Sequence, residues 1–563
     1  MVIDIRRTRI AVKSYHPMFR AFLSNGSSVR CERRLASLRP TPLFVLVSDI
    51  FRHMKDSHQM KVCPHHIAAL FVVAVSGLHA QTTFTGEVRV NGDTAGVRQI
   101  APQLAIAPDG TVYVLWTDFR AGAEGQVYLT SSGDGGASFR AAWPLTNAEG
   151  VQAGMQRGAQ FVVDRMGILH LTWQERNGLG KISARYARST DGGVTFSEPL
   201  AVAGDSGQQN QDFPSIAVDS SGNPFLCWID DRETATTRHT QLYFARSADG
   251  GVTFSAPARA SIMPGGNGGS CECCNTSIAV SSDGNVFISF RGNIDNDRDI
   301  YIARSLDGGA TFTTYKAASE SWNIPACPMT GSSICIDPMQ TAHVVWRDSR
   351  PSSAGKDYIY YTSLRRTDDV CPPDQRISDS PKKSNYPTIT ITPDGALICA
   401  YQDNRTDQAD VFYTTSVDCG VTFSPGRKLS RESNASKQEL PILRIAPSGS
   451  RYIVWQDNRR DEGDIVLSKD TTRLGPVSSV DDESRSRSDD DVSLDLDRTG
   501  TRLTISARAD QAFETLSIHS ILGRQVMRCD LDASVTTIDI SALPQGKYLV
   551  RVWGRVMPVV VVR

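Results

Sequence analysis

The chain has 563 residues, enough for one large domain and a smaller second one. Its 60 basic and 61 acidic residues leave a formal net charge of −1, which offers no basic surface for nucleic acid, so no nucleic-acid partner is expected. Apolar runs are short and no helical periodicity persists beyond a few turns, which predicts an all-β protein.

The N-terminal region differs from the rest of the chain and divides into two parts. Residues 1–59 are rich in arginine and carry no repeat, which predicts either a non-native upstream extension or an unusual leader. Residues 60–80 have the pattern of a secretory signal peptide, with a charged start, an apolar run over 67–77 and Leu-His-Ala before Gln81. The apolar run is too short to cross a bilayer. We therefore expect an exported mature chain that begins near Gln81 and has no transmembrane segment.

The middle of the chain repeats an eight-residue pattern, Ser-x-Asp-Gly-Gly-x-x-Phe. Three close copies occupy 189–196, 247–254 and 305–312, and looser copies occupy 132–139 and 416–423. Ser and Asp side chains bond the backbone of such a segment and the glycines permit positive φ, so each copy predicts a tight turn. The aspartates are Asp134, Asp191, Asp249, Asp307 and Asp418. The first four are 57, 58 and 58 residues apart, and the last interval, 111, is close to two periods.

This pattern resembles the Asp-box, or BNR repeat, of the sialidase-like β-propellers. The resemblance implies a four-stranded blade around each copy, in units of roughly 55 residues. In the third unit we expect strands over 214–219, 225–228 and 242–246, and a fourth that begins at Phe254. Inner strands of the same kind begin at Pro102, Ala159, Pro214, Ser277, Ser333, Pro387 and Pro441. We therefore predict a seven-bladed β-propeller over 81–475, with six blades, the general number in sialidases, as the alternative.

The two ends of this region complement each other. Residues 83–120 align without a gap on 195–232, at a constant offset of 112, and the alignment pairs Phe84 with Phe196. The mature chain thus opens with the tail of a repeat and a fourth strand that has no blade of its own. The seventh unit begins a repeat at Ser468 and then departs from the pattern. We expect the N-terminal strand to complete the seventh blade, which removes an open sheet edge.

The last part of the chain contains a linker and a small domain. Residues 476–498 are rich in Ser, Asp and Arg, which predicts a disordered linker. Within 499–563, the segments 521–526 and 543–552 resemble the C-terminal sorting domain of the type IX secretion system. The resemblance implies a small β-sandwich, the type IX secretion machinery as partner, and a secreted or outer-surface location in a Gram-negative bacterium. It also implies removal of this domain after export, near Ser488.

A Trp-x-Asp-x-Arg element ends the second strand of most units. It occurs at 116–120, 228–232, 346–350 and 455–459, and with Tyr in place of Trp at 401–405. Such a ring around the mouth of a propeller, opposite the repeated turns, could bind an acidic sugar. Because nearly every unit repeats it, we interpret it instead as an ion-pair ring that locks neighbouring blades together, since a catalytic site needs different residues in different roles.

The fourth unit departs from this plan. It has Arg291 and Asn293 where the element would be, and Arg298 and Asp299 follow them. The next connection carries Trp322. Ligand sites favour concave surfaces where several connections converge. We therefore predict that Arg291, Asn293, Arg298 and Trp322 bind a ligand on the mouth face.

The same region holds four cysteines, Cys271, Cys273, Cys274 and Cys327. Thiolates at this spacing bind zinc or copper(I), whereas disulfides are favoured in an exported protein. No cofactor is therefore predicted, and copper or zinc is the alternative. We expect the four cysteines to lie together near Arg291. At least one disulfide should join Cys327 to a cysteine of the 271–274 loop, which requires the Cα atoms of the two bonded cysteines to lie within about 7 Å.

The resemblance to sialidases implies a particular catalytic set. That family uses a Tyr nucleophile paired with Glu, an Asp acid/base and three Arg residues on the substrate carboxylate. Arg98 lies where the first family arginine would be, in an altered motif, and Tyr386 is the one candidate nucleophile. The catalytic candidates are therefore Arg98, Arg291, Asp299 and Tyr386, and the set is incomplete.

Three functions remain open from the sequence. We expect a secreted or surface-attached propeller that binds a glycan or an extracellular protein ligand on its mouth face. An exo-sialidase-type glycoside hydrolase is the first alternative. A metal-dependent enzyme that uses the cysteine cluster is the second.

Overall fold

The computed structural model describes residues 84–470 except for short gaps at 93–95, 123–124, 146–157, 205–206, 265–267, 394, 431–435 and 461–462. It also describes strands between 492 and 561 and two short strands between 20 and 32. The chain divides into two units, Met1–His79 and Ala80–Arg563. The first contains one antiparallel pair, β1 (Arg20–Ser24) and β2 (Ser28–Glu32). The rest of the predicted extension, the signal peptide over 60–80 and residues 476–491 of the predicted linker lie outside the described residues.

The second unit begins with β3 (Thr85–Arg89) and continues with seven antiparallel sheets, which are the blades of a propeller. Blade one contains β4 (Gln99–Ile106), β5 (Val112–Asp118), β6 (Gln126–Ser132) and β7 (Trp143–Pro144), and blade two contains β8 (Gln160–Val163), β9 (Leu169–Arg176), β10 (Ile182–Ser189) and β11 (Leu200–Ala201). Blade three contains β12 (Gln211–Val218), β13 (Pro224–Asp230), β14 (Gln241–Arg246) and β15 (Ala258–Arg259). Blade four has five strands, β16 (Gly269–Ser270), β17 (Ser277–Val280), β18 (Val286–Asn293), β19 (Ile300–Ser305) and β20 (Thr313–Lys316).

The last three blades follow the same order. Blade five contains β21 (Ser332–Ile336), β22 (Thr341–Asp348), β23 (Tyr358–Arg365) and β24 (Gln375–Arg376), and blade six contains β25 (Ser384–Ile391), β26 (Leu397–Asp403), β27 (Asp410–Ser416) and β28 (Arg427–Lys428). Blade seven contains β29 (Gln438–Ile445), β30 (Arg451–Asp457) and β31 (Asp464–Asp470), followed by β3. The described helical segments are one short helix, Thr234–Thr237, and one 3₁₀ turn, Pro351–Ser353. The seven-bladed prediction is confirmed, and the six-bladed alternative is wrong.

The core of the propeller lies between blades. The second strand of several blades is buried along its whole length, because each sheet packs against a neighbour on both faces. One apolar cluster joins Val90 and Leu467 of blade seven to Leu104 and Trp116 of blade one. The aromatic residues at the ends of these strands, Trp116, Trp228, Trp346 and Trp455, are each fully buried. Apolar burial between blades thus supplies the main stabilisation.

The outer strands are shorter than the sequence predicts. In blade three the fourth strand is only Ala258–Arg259, so the expected strand beginning at Phe254 is wrong. Phe254 belongs instead to the repeated turn, and its ring meets Tyr186 of blade two edge-on at 4.9 Å between centroids. A two-residue outer strand presents few unpaired backbone groups, which limits edge-to-edge association.

The closure of the ring follows the prediction. Strand β3 pairs antiparallel with β31, with Val88 opposite Leu467. The ring of Phe84 meets Tyr413 of blade six edge-on at 5.3 Å, as Phe254 meets the preceding blade. Phe84 therefore supplies the aromatic residue that the last repeat lacks, and the closure prediction is confirmed.

The eight-residue pattern forms the turn that its chemistry predicts. In the second copy, Ser189 Oγ donates to Asp191 Oδ1 at 2.7 Å, and the backbone N–H groups of Gly193 and Thr195 donate to these two side chains. Hydrogen bonds from the Thr195 hydroxyl and N–H lower the pKa of Asp191 to about 2. Gly193 has φ 86°, and a Cβ there would lie 2.5 Å from Leu129 of the neighbouring blade. Glycine is therefore required for both backbone conformation and blade contact.

Two further sheets lie near the C-terminus. They comprise β32 (Val492–Leu496), β33 (Arg502–Ala507) and β36 (Val535–Asp539) in one sheet, and β34 (Thr515–Ser520), β35 (Gln525–Asp530), β37 (Gly546–Val552) and β38 (Arg555–Val561) in the other. The packing of these sheets as a sandwich stays a prediction. Among the described residues, no helix is long and apolar enough to cross a membrane.

Candidate functional site

The two faces of the propeller differ in composition. In blade one, Gln99 at the start of the inner strand pairs with Asp118 at the end of the second strand, whereas Ile106 pairs with Val112 at the opposite end. The repeated turn follows Ser132, which also pairs with Val112. The Trp-x-Asp-x-Arg elements therefore share one face, here called the mouth face, with the first residues of the inner strands. The repeated turns lie on the other face.

The Trp-x-Asp-x-Arg element of blade one is paired within its own blade, whereas Arg350, Arg405 and Arg459 of other elements also pair with a carboxylate outside the element. Asp118 is fully buried and accepts hydrogen bonds from Trp116 Nε1 at 3.0 Å and from the Arg120 backbone N–H and guanidinium at 2.7–2.9 Å. The Arg120 guanidinium stacks on Tyr128 of the third strand, 4.4 Å from its centroid. This pairing lies within one blade, so the predicted ring of ion pairs that locks neighbouring blades together is wrong for this element. A local pair forms because residues two apart at a strand end reach each other before they reach the next blade.

A small cavity lies at the mouth end of the central channel. It has a volume of about 150 Å³ and is lined by the first residues of the inner strands of six blades. Several of these strands carry a bulge immediately before the cavity, with a positive-φ residue followed by proline, as at Ala101-Pro102 and Tyr386-Pro387. Non-glycine residues at positive φ are uncommon and concentrate at functional sites. The cavity is therefore the candidate ligand site.

Polar groups with unfilled bonding capacity line this cavity. The side-chain oxygens of Asn275 and Thr330 are buried and have no hydrogen-bond partner within the described protein. Arg444 lines the same cavity, and its Nη1 donates to the backbone carbonyl of Leu443 at 2.9 Å. Among the described residues, no carboxylate lies within 4 Å of its guanidinium. Burial lowers the pKa of Arg444. An enclosed cation without an acidic partner is costly unless an anion accompanies it.

Tyr386 and Glu439 lie close to each other at the edge of the cavity. Tyr386 lines the cavity, and Glu439 immediately precedes Leu440, which lines it too. Burial and the negative charge of Glu439 raise the pKa of Tyr386, and the Arg347 guanidinium opposes the rise. Burial also raises the pKa of Glu439. A carboxyl group that holds its proton more tightly than usual is suited to general acid/base work.

A cysteine loop interrupts the inner strand of blade four. Strand β16 pairs Ser270 with Gly292, and β17 resumes with Ser277 opposite Ser289. Residues 271–276 leave the sheet between these pairs, where blades one, three, six and seven have only a bulge. The Cys271 N–H donates to the Arg291 carbonyl at 2.7 Å, which holds the loop against β18.

The four predicted cysteines come together in this loop and its neighbour. Cys273 and Cys327 form a disulfide with Cα atoms 6.3 Å apart, so the predicted link is confirmed. Cys271 and Cys274 are buried free thiols whose Sγ atoms lie 3.5 Å apart, and Cys271 Sγ lies 3.4 Å from Cys273 Sγ. The hydrogen bond between the two thiols, with help from the Cys273 backbone N–H and the charges of Arg298 and Arg291, lowers the pKa of Cys271 to about 7, and burial raises the pKa of Cys274.

Arg291 joins the loops around the cysteines. Only 1% of its surface is exposed, and its guanidinium donates to the carbonyls of Thr330, Arg298 and Arg347. Trp322 is also buried and lies between the guanidinium groups of Arg291 and Arg347, 5.3 and 5.4 Å from its ring centroid. These contacts describe positioning residues; direct contact of Arg291 or Trp322 with a ligand stays a prediction.

The remaining candidates are dispersed. Asp299 is buried and bonds Lys316 Nζ, Ser321 Oγ and the Trp322 N–H, which fixes the following connection. Arg298 bonds Cys271 Sγ at 3.2 Å and Glu272 at 2.9 Å. Asn293 is half-buried in the pair with Gly269. Arg98 is exposed and stacks on Phe119 at 4.8 Å. Of the four catalytic candidates, only Tyr386 lines the cavity.

Sequence reasoning missed Arg444 and Glu439. A signal for Arg444 was present, because the inner-strand repeat has Ala105, Ala217 and Ala279 at the corresponding places. The other three blades have Val162, Cys335 and Thr390 there, so a charged residue at this place occurs in blade seven alone and indicates a special position. Glu439 carried no comparable signal, since polar residues are common at the start of the inner strands.

The comparisons with known proteins identify the C-terminal domain. Residues 499–556 match the model of the secretion system C-terminal sorting domain. The protein is therefore exported by the type IX secretion system to the outer surface or the surroundings of a Gram-negative bacterium, as predicted. No curated protein sequence matches the chain.

Solved structures resemble the propeller at low sequence identity. A protein of unknown function from Dyadobacter fermentans DSM 18053 has a TM-score of 0.42 and 12% identity, and the match covers 70% of this chain and 99% of that one. A polysaccharide lyase of family PL25, an ulvan lyase, has a TM-score of 0.45 and 12% identity, with 69% and 94% covered. The Hadza microbial sialidase Hz136 has a TM-score of 0.37 and 13% identity, with 66% and 65% covered. Similarity at this level transfers no activity.

Proposed function

We propose that the mouth cavity of this exported propeller binds the acidic terminal residue of a glycan. The observation that carries the proposal is Arg444, an enclosed cation on the cavity wall with no carboxylate within 4 Å among the described residues. A carboxylate or sulfate group on a sugar supplies the missing anion and pairs with a guanidinium through two parallel hydrogen bonds.

The polar groups around Arg444 fit a sugar better than a simple anion. Asn275 and Thr330 present side-chain oxygens without partners, and an amide and a hydroxyl can each donate and accept. Sugar hydroxyls also donate and accept, so they satisfy such groups in either direction. The cavity of about 150 Å³ is smaller than the roughly 300–1,000 Å³ that holds a drug-sized ligand. It therefore suits one terminal residue rather than the middle of a chain.

Titration of the full chain with single acidic sugars tests this function. Calorimetry with D-glucuronate and N-acetylneuraminate should show binding that neutral D-glucose lacks, and Arg444→Met should abolish it. Arg165→Met, at an exposed position, is the matched control and should bind like the parent protein. Equal binding by Arg444→Met and the parent would refute the proposal. Binding of an extracellular protein without any acidic sugar would favour the protein-ligand alternative.

A glycoside hydrolase is the second candidate, favoured by the proximity of Tyr386 and Glu439. Sialidase-type hydrolysis needs a tyrosine nucleophile whose proton passes to a carboxylate. Burial raises the pKa of both groups, so both keep their protons to higher pH than usual. Glu439 can accept the tyrosine proton only at a pH at which its own carboxyl group is ionised. Release of the fluorophore from a fluorogenic sialoside by the full chain, abolished in Tyr386→Phe, would support hydrolysis. Binding of the sialoside without release of the fluorophore would support glycan binding and contradict hydrolysis.

A further inference from the structure

Two buried cysteines near the cavity remain reduced in a compartment that favours disulfides. Cys271 and Cys274 are free thiols within hydrogen-bonding distance of each other, and their Sγ atoms belong to a group of three that all lie within 4.8 Å. Cys227 is a buried free cysteine too, but it is the one cysteine of its apolar cluster between blades, and its Sγ lies 3.4 Å from the Thr276 hydroxyl. The pair in the cysteine loop is therefore arranged differently from this structural cysteine of the same domain.

The number of sulfur atoms free to bind a metal ion determines which metal the loop can hold. The third sulfur of the group belongs to Cys273, which is bonded to Cys327, and a disulfide sulfur is a poor metal ligand. Two thiolates remain. Structural zinc takes four ligands, and no His, Asp or Glu joins this group among the described residues. Copper(I) is soft, prefers thiolates and is stable with two of them. Copper(I) with two ligands is close to linear, so the two Sγ atoms, which lie 3.5 Å apart, must move apart by roughly 1 Å to take opposite sides of the ion.

The surroundings balance the charge of such a complex. Copper(I) with two thiolates carries one negative charge, which is costly to bury alone. Arg298 Nη1 lies 3.2 Å from Cys271 Sγ, and Arg298 is itself buried. Arg291 is buried too, and its backbone carbonyl accepts a hydrogen bond from the Cys271 N–H at 2.7 Å. Arg298 also pairs with Glu272 at 2.9 Å, so two buried arginines and one carboxylate surround an anionic metal–thiolate complex.

The loop also places the pair next to the mouth cavity. Cys274 immediately precedes Asn275, whose side-chain oxygen is buried without a partner, and both Asn275 and Thr330 line the cavity. The Cys273–Cys327 disulfide fixes the loop to the following connection. The geometry points to a copper(I) site formed by Cys271 and Cys274, beside an intact Cys273–Cys327 disulfide, at the wall of the mouth cavity. This inference does not depend on the proposed glycan.

Copper binding by the full secreted chain tests the site. The chain is incubated anaerobically with copper(I) in competition with a chromophoric copper(I) chelator, and X-ray absorption then measures the ligands. We expect one copper(I) per chain with two sulfur ligands. Cys271→Ser and Cys274→Ser should each abolish stoichiometric binding, whereas Cys419→Ser, at a partly exposed cysteine on the opposite face, should bind like the parent. Arg298→Met, which keeps both ligands, should weaken copper affinity by about 10–100-fold.

Thiol mapping of the unmutated chain makes the result independent of folding defects in the variants. Alkylation in denaturant after copper removal, followed by mass spectrometry, should find Cys271 and Cys274 as free thiols and Cys273 joined to Cys327. A disulfide between Cys271 and Cys274 in the secreted chain would overturn the inference. Zinc on four thiolates, with the Cys273–Cys327 bond absent, would overturn it as well.

Discussion

Phe84→Ala tests whether the ring of blades is closed by the N-terminal strand. Phe84 is 8% exposed, and its ring packs edge-on against Tyr413 of blade six. Replacing a buried phenylalanine by alanine costs about 3–5 kcal/mol in unfolding free energy. Unfolding entropy of about 2.1 cal/mol/K per residue gives about 0.8 kcal/mol/K for a domain of roughly 390 residues. The melting temperature of the propeller should therefore fall by about 4–6 °C.

The matched control is Phe254→Ala in blade three. Phe254 occupies the same place in a complete repeat, with its ring 4.9 Å from Tyr186. If Phe84 substitutes for the aromatic of the last repeat, the two variants should lose similar stability in calorimetry of the full chain. Removal of residues 81–92 should lower stability further, because it also removes the β3–β31 pairing and the Arg459–Glu87 ion pair. A normal melting temperature for Phe84→Ala beside a clear loss for Phe254→Ala would refute the closure argument.

Three further predictions concern charge and processing. Asp307→Asn should lower the melting temperature at pH 7, because hydrogen bonds from Thr311 and Ser305 hold the pKa of Asp307 at about 2 and stabilise its ionised form. The difference between variant and parent should disappear as the pH falls from about 4 through about 2, where the carboxylate takes up a proton, and melting at several pH values measures it. Glu439→Gln should instead raise the melting temperature at pH 7. Burial raises the pKa of Glu439, so its negative charge destabilises the folded state above the ordinary glutamate pKa, and the variant and the parent should melt at the same temperature at pH 3. Mass spectrometry of the culture supernatant should find a chain that starts near Gln81 and ends near Ser488, and an unprocessed chain there would contradict this prediction.

The features that the sequence predicted correctly depend on local repeats. A turn such as 189–196 contains all of its own hydrogen-bond partners, so its form follows from eight residues. The 112-residue offset placed the N-terminal strand beside β31 because a repeat fragment pairs where the intact repeat would pair. The link from Cys327 to the cysteine loop followed from the mouth face that both connections share.

The features that were missed depend on the closed ring. Arg444 lies in an ordinary inner strand, and only the convergence of strands from several blades encloses it. Glu439 acquires its raised pKa in the same way, by burial. Arg291 shows another effect of the closed ring. Its departure from the repeat predicted a ligand contact, which stays a prediction. Its guanidinium donates to three backbone carbonyls from separate segments, which no local pattern reveals.

Side chains on the mouth face differ in how much of their hydrogen-bonding capacity the protein itself fills. In a Trp-x-Asp-x-Arg element, the carboxylate receives the indole and guanidinium of its own blade, so the group has little left for a ligand. Unpartnered atoms occur in the standard elements too, as at Asp348 Oδ1 and Arg350 Nε, but several departures from the repeat also have bonding capacity to spare. Arg444 has no carboxylate within 4 Å among the described residues, Asn275 has a buried unpaired oxygen, and Cys271 and Cys274 are free thiols. Arg444 and Asn275 line one cavity, and the thiols lie in the loop that leads into it. Because unfilled polar groups are costly to bury, the presence of Arg444, Asn275 and Thr330 around one cavity supports a ligand that fills them.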